Sequence, residues 1–307
     1  MDDGADAAVG VLVPVRAPAP FLGEALEAVL TQVTDAHQVV VVDDASPEPV
    51  ALDAAHADRC RLIRRARPGG APAARDSGLA VLSTPLVALA DADDVWRPGK
   101  LELQLRALEA APAAGVCFGR ATVIDAEGRP TGERWDEFPG GLLDARTLGP
   151  MLYEHNPIPT SSVVLRRSDL LGAGGFAGPP LGEDWALWLR LATRGVGFYC
   201  EPRAEIGYRR HPHQLTADIA ALAEGNITVH EAHGGLVDDI TRQRVAAADR
   251  AALARGRVRQ RRYAEARTAL AEAAELTPLA GRERILRGLL AVPGLRWALG
   301  RRRPYRR

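Results

Sequence analysis

The sequence predicts an α/β protein with a mostly parallel sheet flanked by helices, followed by a helical extension. An almost continuous apolar run, Val9–Val15, is typical of a strand that is buried on both faces. Apolar residues then recur at helical spacing from Phe21 to about Gln32, and a second buried strand is predicted over Gln38–Val42. A strand, a helix and a strand within some forty residues indicate a βαβ unit with parallel pairing.

The same patterns predict the later elements of this part of the chain. Short apolar runs predict strands at Leu62–Arg64, Pro85–Leu89, Val116–Gly119, Ala121–Asp125, Val163–Arg166, Gly197–Cys200 and Ile206–Arg209. Helices are expected after Gly70, at Lys100–Ala111, at Ser168–Leu171 and from Asp184 onward, and Pro98 suits the first turn of the second of these. Residues 132–150 show no periodicity, so a mobile loop over a site and a plain connector both stay open.

From about Thr216 the sequence changes to Ala, Leu, Arg and Glu at helical spacing. We therefore predict two domains, 1–216 and a helical extension at 217–307 that ends in a basic tail. Residues 256–278 resemble one tetratricopeptide-type helix pair, which cannot bury its own apolar face alone. The segment Arg296–Arg307 holds six arginines and no acid, which fits either a solvated tail or peripheral contact with anionic lipid.

Composition excludes several classes of protein. The formal net charge is zero, which argues against a nucleic-acid partner bound mainly through phosphates. The three cysteines, Cys60, Cys117 and Cys200, lie far apart, so neither a zinc knuckle nor a disulfide framework is indicated and a cytoplasmic protein is expected. The acidic first residues predict no signal peptide, and no uncharged apolar run reaches the roughly 18 residues of a membrane span. The basic tail leaves a peripheral position at the inner face of the membrane as an alternative.

An acidic loop follows the strand predicted at Pro85–Leu89. Asp91, Asp93 and Asp94 lie within four residues, and their mutual repulsion raises at least one pKa unless a cation lies among them. A divalent ion held by one or two of these oxygens and by diphosphate oxygens would remove that repulsion. Asp43 and Asp44 end another predicted strand, and ligands of such sheets bind at the carboxyl ends of the strands. Together the two groups predict one acidic, ligand-binding rim.

Three further features are compatible with a site and also with ordinary structure. Gly69 and Gly70 precede the helix that carries Arg75, and such a turn can cradle phosphate or simply turn the chain. Asp184 follows Glu183 at a predicted helix start, where a carboxylate is either a cap or part of a cleft wall. His211 follows a strand and two arginines, where a metal or phosphate contact and a structural role remain equally open.

These motifs, in this order, resemble family 2 glycosyltransferases of the GT-A fold. The resemblance covers about residues 7–216 and depends on five segments: Val13-Pro14-Val15, Val41-Val42-Asp43-Asp44, Gly69-Gly70 through Arg75, Asp91-Ala92-Asp93-Asp94, and Gly182-Glu183-Asp184-Trp185. Tyr208 to His211 fits as well. The resemblance implies a Rossmann-like sheet and transfer of a sugar, with inversion, from a nucleotide-diphosphate donor to an acceptor hydroxyl. A UDP-sugar is the first choice of donor, and the acceptor is a sugar, a lipid or a small molecule.

The resemblance also implies a role for individual residues. Asp184 is the expected general base. Donor contacts are implied for Pro14, Val15, Asp44, Arg75, Asp91, Ala92 and Asp93. A Mn²⁺ or Mg²⁺ ion is expected at Asp93 and Asp94, with His211 at the metal or the diphosphate. The sequence departs from the family pattern at Arg16-Ala17, where Tyr-Asn is usual, and at Ala45, where glycine is common.

Two other functions compete with this one. A sugar nucleotidyltransferase shares the nucleotide-binding layout, but it is expected to carry a Gly-rich basic loop after the first strand, which Arg16-Ala17-Pro18 is not. An inactive protein of the same fold, acting as a scaffold through its helical extension, is the second alternative. The acidic residues at positions 91, 93, 94 and 184 argue against it.

Overall fold

The computed structural model describes residues 8–212 and 214–291, which divide into one unit up to Pro212 and a second unit from His213. The first half of the first unit alternates strands and helices. Its elements are β1 (Val9–Val15), α1 (Leu22–Leu30), β2 (Gln38–Asp43), α2 (Ala54–Ala57), β3 (Cys60–Arg64), α3 (Gly70–Leu79), β4 (Leu86–Leu89), β5 (Val95–Trp96) and α4 (Lys100–Ala110).

The second half of this unit adds longer strands and three helices. They are β6 (Ala114–Ile124), β7 (Pro130–Trp135), β8 (Gly141–Leu143), α5 (Ala145–Glu154), β9 (Val164–Arg166), α6 (Arg167–Gly172), α7 (Glu183–Thr193) and β10 (Gly197–Arg209). A single 3₁₀ turn, Thr160–Ser162, precedes β9. The predicted α/β class with helices flanking a central sheet is confirmed.

Within the described residues the sheet has ten strands, in the order β3-β2-β1-β4-β9-β6-β10-β5, with β7 beside β6 and β8 beside β10. The strands β3, β2, β1 and β4 pair in parallel, as do β6 and β10. The strand β9 is antiparallel to both of its neighbours, β4 and β6, and so joins the two parallel groups. Because β1, β2 and β4 run in the same direction, their carboxyl ends lie at one edge of the sheet.

Helices cover both faces of the parallel half. Alternate residues of β1, including Val11 and Val13, are fully buried in the cluster that contains the apolar faces of α1 and α4. On the other face α3 approaches so closely that a Cβ at Gly78 would lie 2.7 Å from Leu12. A glycine is therefore required at this contact, and it brings the helix that carries Arg75 down onto the strands.

Three local expectations were wrong. Helix α4 begins at Lys100 as predicted, but Pro98 lies before the helix rather than in its first turn, because Val95–Trp96 first pairs with β10 and Gly99 turns the chain with φ 80°. The segment 132–150 is neither loop nor connector: it forms most of β7, all of β8 and the first turns of α5. The two strands expected on either side of Arg120 are one continuous strand, β6, and the two expected before Arg210 are one strand, β10.

The second unit is helical, as the sequence predicts. It contains α8 (Ile219–His233), α9 (Asp239–Arg259), α10 (Tyr263–Leu276) and α11 (Gly281–Ala291), with 3₁₀ turns at Leu215–Ala217 and Gly234–Leu236. The helix pair expected at 256–278 corresponds to the end of α9 and to α10, which share a buried cluster with Leu290 of α11. The arginine-rich tail lies outside the described residues. No helix in residues 8–212 or 214–291 is both long and apolar enough to cross a membrane.

Candidate active site

The acidic loop that follows β4 is held by one serine. The backbone N–H of Asp91 donates to Ser161 Oγ over 3.0 Å, and the same hydroxyl donates to Asp94 Oδ2 over 2.6 Å. Asp94 Oδ1 accepts a further hydrogen bond from the backbone N–H of Arg209, at 3.0 Å. Both ends of the Asp91–Asp94 loop are therefore fixed to residues distant in sequence, and the Asp93 side chain between them is about one third exposed.

Asp93 meets His211 at the open side of this loop. Asp93 Oδ2 lies 3.1 Å from His211 Nε2, and the imidazole contacts the ring of Phe21, with 5.1 Å between ring centroids. Burial and the charge of Asp91 raise the pKa of Asp93, whereas the interaction with His211 opposes that rise. A carboxylate oxygen and an imidazole nitrogen thus lie side by side in a region of excess negative charge.

The spacing of Asp93 and His211 suits two ligands of the divalent ion that the family resemblance implies. Two neighbouring ligands on an ion with bonds of about 2.1 Å are about 3 Å apart, close to the measured 3.1 Å between Asp93 and His211. Among the described residues no group of three or more His, Cys, Asp and Glu side chains is arranged to hold a metal. An ion held by this pair would need further oxygen ligands, which substrate phosphates supply around Mg²⁺.

Asp94, which the family resemblance implies as a metal ligand, is buried and hydrogen-bonded within the protein. Its side chain is only 4% exposed, and each of its oxygens accepts a hydrogen bond from the protein. Burial, and then the charges of Asp93 and Asp91, raise the pKa of Asp94 well above its ordinary value. The structure thus gives Asp94 the environment of a carboxyl group that fixes the loop, and Asp93 is the more accessible of the two carboxylates.

Arg75 connects the acidic loop to the start of α7. One terminal nitrogen donates to Asp91 Oδ1 over 2.5 Å, and the other donates to Glu183. The guanidinium is buried, and its own desolvation is outweighed by the charges of Asp91 and Glu183, which raise the pKa of Arg75. The sequence predicts a donor contact for this arginine, but both of its terminal nitrogens have carboxylate partners here.

Asp184 is oriented by three hydrogen bonds. Its Oδ2 accepts from Thr160 Oγ1 at 2.7 Å and from Asn156 Nδ2 at 3.2 Å, and its Oδ1 accepts from the backbone N–H of Trp185 at 2.7 Å. The side chain remains partly exposed at the first turn of α7. Its carboxylate therefore has a fixed direction and access to solvent, as a proton acceptor requires.

The neighbouring Glu183 is in a different environment. Its carboxylate is 8% exposed. Burial raises the pKa of Glu183 to about 7; the charge of Arg75 opposes this rise, and the charge of Asp184 adds to it. The two adjacent carboxylates thus differ in environment: Glu183 is buried and pairs with Arg75, whereas Asp184 is partly exposed.

Asp44 lies at the end of β2 and binds the start of α3. It accepts hydrogen bonds from the backbone N–H groups of Gly69 and Gly70, the closer at 2.7 Å, and from Arg65. A carboxylate at a helix N-terminus is favoured by the helix dipole. The Gly69-Gly70 turn therefore binds a carboxylate of the protein itself rather than presenting its amides to a phosphate. Asp44 and Arg75 are in this way connected through α3.

The remaining predicted donor contacts lie at the ends of β1 and β4. Pro14 and Val15 form the last residues of β1, and the carbonyl of Val15 accepts from the backbone N–H of Asp44 at 2.9 Å. Ala92 lies partly buried in the acidic loop. Ala45, where the family commonly has glycine, adopts φ 51°, a conformation in which glycine is not strained. The departure at this position thus places a non-glycine residue in a left-handed turn beside the site.

Four residues of this arrangement carry no predicted role. Ser161 holds the acidic loop, and Asn156 and Thr160 orient Asp184. Arg209 is 2% exposed and donates to the carbonyl of Asp93 at 2.9 Å. The signal for Thr160 and Ser161 is the run of polar residues between Pro159 and a buried strand, but the run does not indicate what these residues contact.

We expect Ser161→Ala to destabilise the first unit by about 1–3 kcal/mol. The substitution removes the acceptor for the Asp91 N–H and the donor to the buried Asp94 carboxyl, and an unpaired buried polar group costs about that much. Ser162→Ala is the matched control, since Ser162 is equally buried but donates only to the carbonyl of Pro159 in the same turn. Urea unfolding measures both, and an equal loss in the two variants would contradict the assigned role of Ser161.

Comparison with known sequences identifies the family. Residues 10–171, more than half of the chain, match Glycosyl transferase family 2. The chain belongs to this family. A pre-mycofactocin glycosyltransferase of Mycobacterium tuberculosis (strain CDC 1551 / Oshkosh) is 31% identical over 222 residues, covering 70% of this family 2 chain. The match spans only 45% of that relative's length.

Solved structures of glycosyltransferases share the fold. TarS 1-349 of S. aureus in complex with UDP-GlcNAc superposes with a TM-score of 0.64 at 14% identity, covering 95% of this chain and 87% of TarS 1-349. A mannosyltransferase of Pyrobaculum calidifontis in complex with GDP-Man and Mn²⁺ gives a TM-score of 0.52 at 18% identity, covering 95% and 85%. The predicted GT-A fold of this family 2 member is thereby confirmed.

Proposed function

We propose that this protein is an inverting glycosyltransferase that moves a sugar from a nucleotide-diphosphate donor to an acceptor hydroxyl. The observation that supports this most strongly is the position of Arg75, which joins the acidic loop at Asp91 to Glu183, next to Asp184. Two groups that such a reaction needs, an acidic donor-binding loop and an oriented carboxylate base, are thus tied together by one buried side chain.

The donor is proposed to lie along the carboxyl ends of β1, β2 and β4. In this arrangement the nucleobase of the donor lies near Pro14, Val15 and Asp44, and its ribose lies near Asp91 and Ala92. A UDP-sugar is the first choice, supported by the UDP-GlcNAc complex of the structurally similar TarS. Because Arg75 already pairs with two carboxylates, its proposed role is to position Asp91 and α7, rather than to bind the diphosphate directly.

Asp93 and His211 are proposed to hold Mn²⁺ or Mg²⁺, and Asp94 to fix the loop on which Asp93 lies. A divalent ion bound there supplies positive charge for the leaving diphosphate. The complex of the similar mannosyltransferase with GDP-Man and Mn²⁺ supports this choice. His211 adds an imidazole nitrogen to this site, and its ring contacts the ring of Phe21.

In the proposed reaction the acceptor oxygen forms a bond to the anomeric carbon while the bond from that carbon to the diphosphate oxygen breaks. Asp184 takes the proton of the acceptor hydroxyl, and the bonding electrons leave with the nucleoside diphosphate. Thr160 and Asn156 orient the carboxylate of Asp184. Because Glu183 is buried, its carboxylate does not compete with Asp184 for the acceptor hydroxyl. The acceptor is proposed to be a sugar, a lipid or a small molecule.

We expect a nucleoside diphosphate to raise thermal stability only in the presence of the metal. The purified chain is screened with UDP, GDP and dTDP, each with and without Mn²⁺; a ligand at about a hundred times its Kd adds about 2.7 kcal/mol. Asp93→Asn should abolish the metal-dependent part, whereas Asp136→Asn, at an exposed carboxylate, should not change it. Failure of every nucleotide to shift the unfolding temperature with Mn²⁺ would contradict the proposed donor site.

We also propose a cytoplasmic location at the inner face of the membrane. Three free, buried cysteines are compatible with a reducing compartment, and the basic tail suits an anionic surface.

A further inference from the structure

A groove lies between the end of α10 and α11 in the second unit, far in sequence from every residue of the candidate active site. It has a volume of about 500 Å³. Its apolar lining comes from Ala274, Pro278 and Leu279 before α11, and from Gly288 and Ala291 on α11 itself. This volume is within the range of small-molecule sites, about 300–1,000 Å³, and exceeds that of a simple anion.

Two arginines border the same groove. Arg284 and Arg287 are exposed, lie three residues apart on α11 and therefore project from the same side of the helix. Two guanidinium groups beside an apolar lining form a pocket for a ligand that is anionic at one end and apolar at the other. A phosphate bound between the arginines would leave room for the carbon chain to which it is esterified.

The sequence around the groove is strongly basic. Nine arginines and a single acid, Glu283, lie between Arg282 and Arg307. Glu283 lies 3.0 Å from Arg255 of α9, so this acid already neutralises another positive charge. An excess of arginine without compensating acids is the electrostatic feature of segments that associate with anionic membrane surfaces.

We infer that the α10–α11 groove binds the phosphate headgroup of an anionic membrane lipid, with Arg284 and Arg287 as its ligands. The arginines after Ala291 add long-range attraction to the anionic surface. This site is separate from the proposed glycosyl transfer, so either proposal can fail without the other. The inference specifies, for the proposed membrane contact, the groove that binds the lipid and the phosphate headgroup that is bound.

The test is co-sedimentation of the full chain with vesicles of phosphatidylcholine alone and with about 30% phosphatidylglycerol, at about 0.1 M salt. We expect binding to the anionic vesicles only, and at least tenfold weaker binding for the double variant Arg284→Gln/Arg287→Gln. The matched control, Arg242→Gln/Arg244→Gln, removes the same charge from exposed positions on α9 and should weaken binding less than threefold. The circular dichroism spectra of all variants verify that the helices are retained.

Three results would overturn the inference. Absence of binding to anionic vesicles excludes a lipid partner. An equal loss in the groove and control variants, or a loss confined to Arg301→Gln/Arg302→Gln/Arg303→Gln, shows attraction by diffuse charge or by the tail alone. Full competition by millimolar inorganic phosphate or glycerol phosphate at constant ionic strength shows a site for free phosphate rather than for a lipid. Competition that requires a lipid with an intact chain supports the groove.

Discussion

Asp184→Asn is expected to lower the rate of sugar transfer by a factor of about 10²–10⁴ while donor binding stays unchanged. The range is that of a lost general base. The amide cannot take the acceptor proton, but its oxygen can still accept from the two groups that surround Oδ2, with only the hydrogen bond from the Trp185 N–H to Oδ1 lost. Release of nucleoside diphosphate from nucleotide-sugars that carry the nucleobase identified by thermal shift measures the rate, and the thermal shift of each variant with that nucleotide-sugar measures donor binding.

Asp144→Asn is the matched control. Asp144 also accepts a hydrogen bond from a backbone N–H at a helix start, that of Arg146 in α5, but it is exposed and lies outside the cluster around Arg75. If Asp184 served only to stabilise the first turn of α7, whose N-cap residue is Gly182, the two variants would behave alike in turnover, since neither would touch the reacting groups. Wild-type turnover in Asp184→Asn would exclude it as the base. An undetectable rate in the wild type with every donor would instead favour the scaffold alternative.

The strands of the parallel half could be predicted because each is a short apolar run with a clear end. Strand β1 has the predicted bounds, and β2 differs by one residue. Strand β6 shows why others failed: the apolar pattern breaks at Arg120 and predicts two strands, whereas the strand is continuous, and a Cβ at Gly119 would lie 1.8 Å from the carbonyl oxygen of Ala204 on β10. The glycine thus permits close approach of two strands that are 85 residues apart in sequence, which local periodicity does not report.

In the candidate site, too, some residues could be predicted from the sequence and others could not. Asp44 and Asp91 could be located because acids at the ends of parallel strands gather at one edge of the sheet. Ser161 could not, because its role comes from hydrogen bonds to residues 67 and 70 positions away. The partners of Arg75 were equally hidden, since Glu183 lies 108 positions away in sequence. Sequence patterns therefore located the acidic edge of the sheet, but tertiary contacts decide which carboxylates are exposed and which are paired.

Lys100, the only lysine of the sequence, is fully buried at the start of α4. Its ammonium group donates to Gln104 Oε1 over 2.8 Å and lies 3.9 Å from the centre of the Trp96 ring. Burial lowers the pKa of Lys100 from its ordinary 10.5 to about 7. The ring favours the charged form by only about 2 kcal/mol, whereas a shift of that size corresponds to roughly 5 kcal/mol, so burial dominates.

The sign of the pH dependence follows from this shift. Between about pH 10.5 and pH 7 the unfolded chain binds a proton at Lys100 that the folded protein does not, so the free energy of unfolding decreases as the pH falls. The contribution is about 1.4 kcal/mol per pH unit and reaches its full size near pH 7. Above pH 10.5 both states hold a neutral amine, and the penalty is absent.

We therefore expect Lys100→Met to raise the free energy of unfolding at pH 7 by about 2–3 kcal/mol. The variant removes the burial penalty and fills the same space with a flexible apolar chain, but it leaves Gln104 Oε1 without its donor, at a cost of about 1–2 kcal/mol. Urea unfolding at pH 7, 8 and 9 should show the gain shrinking by about 1.4 kcal/mol per unit and then reversing.

A lysine-selective ¹⁵N label gives an independent measurement, because Lys100 contributes the single side-chain resonance whose titration reports the folded pKa directly. A midpoint near 7 supports the burial argument. A midpoint near 10, together with a loss of stability in Lys100→Met that is the same at every pH, would show that the Trp96 ring and Gln104 hold the charged form. In that case the ammonium group would contribute to the stability of the core rather than oppose it.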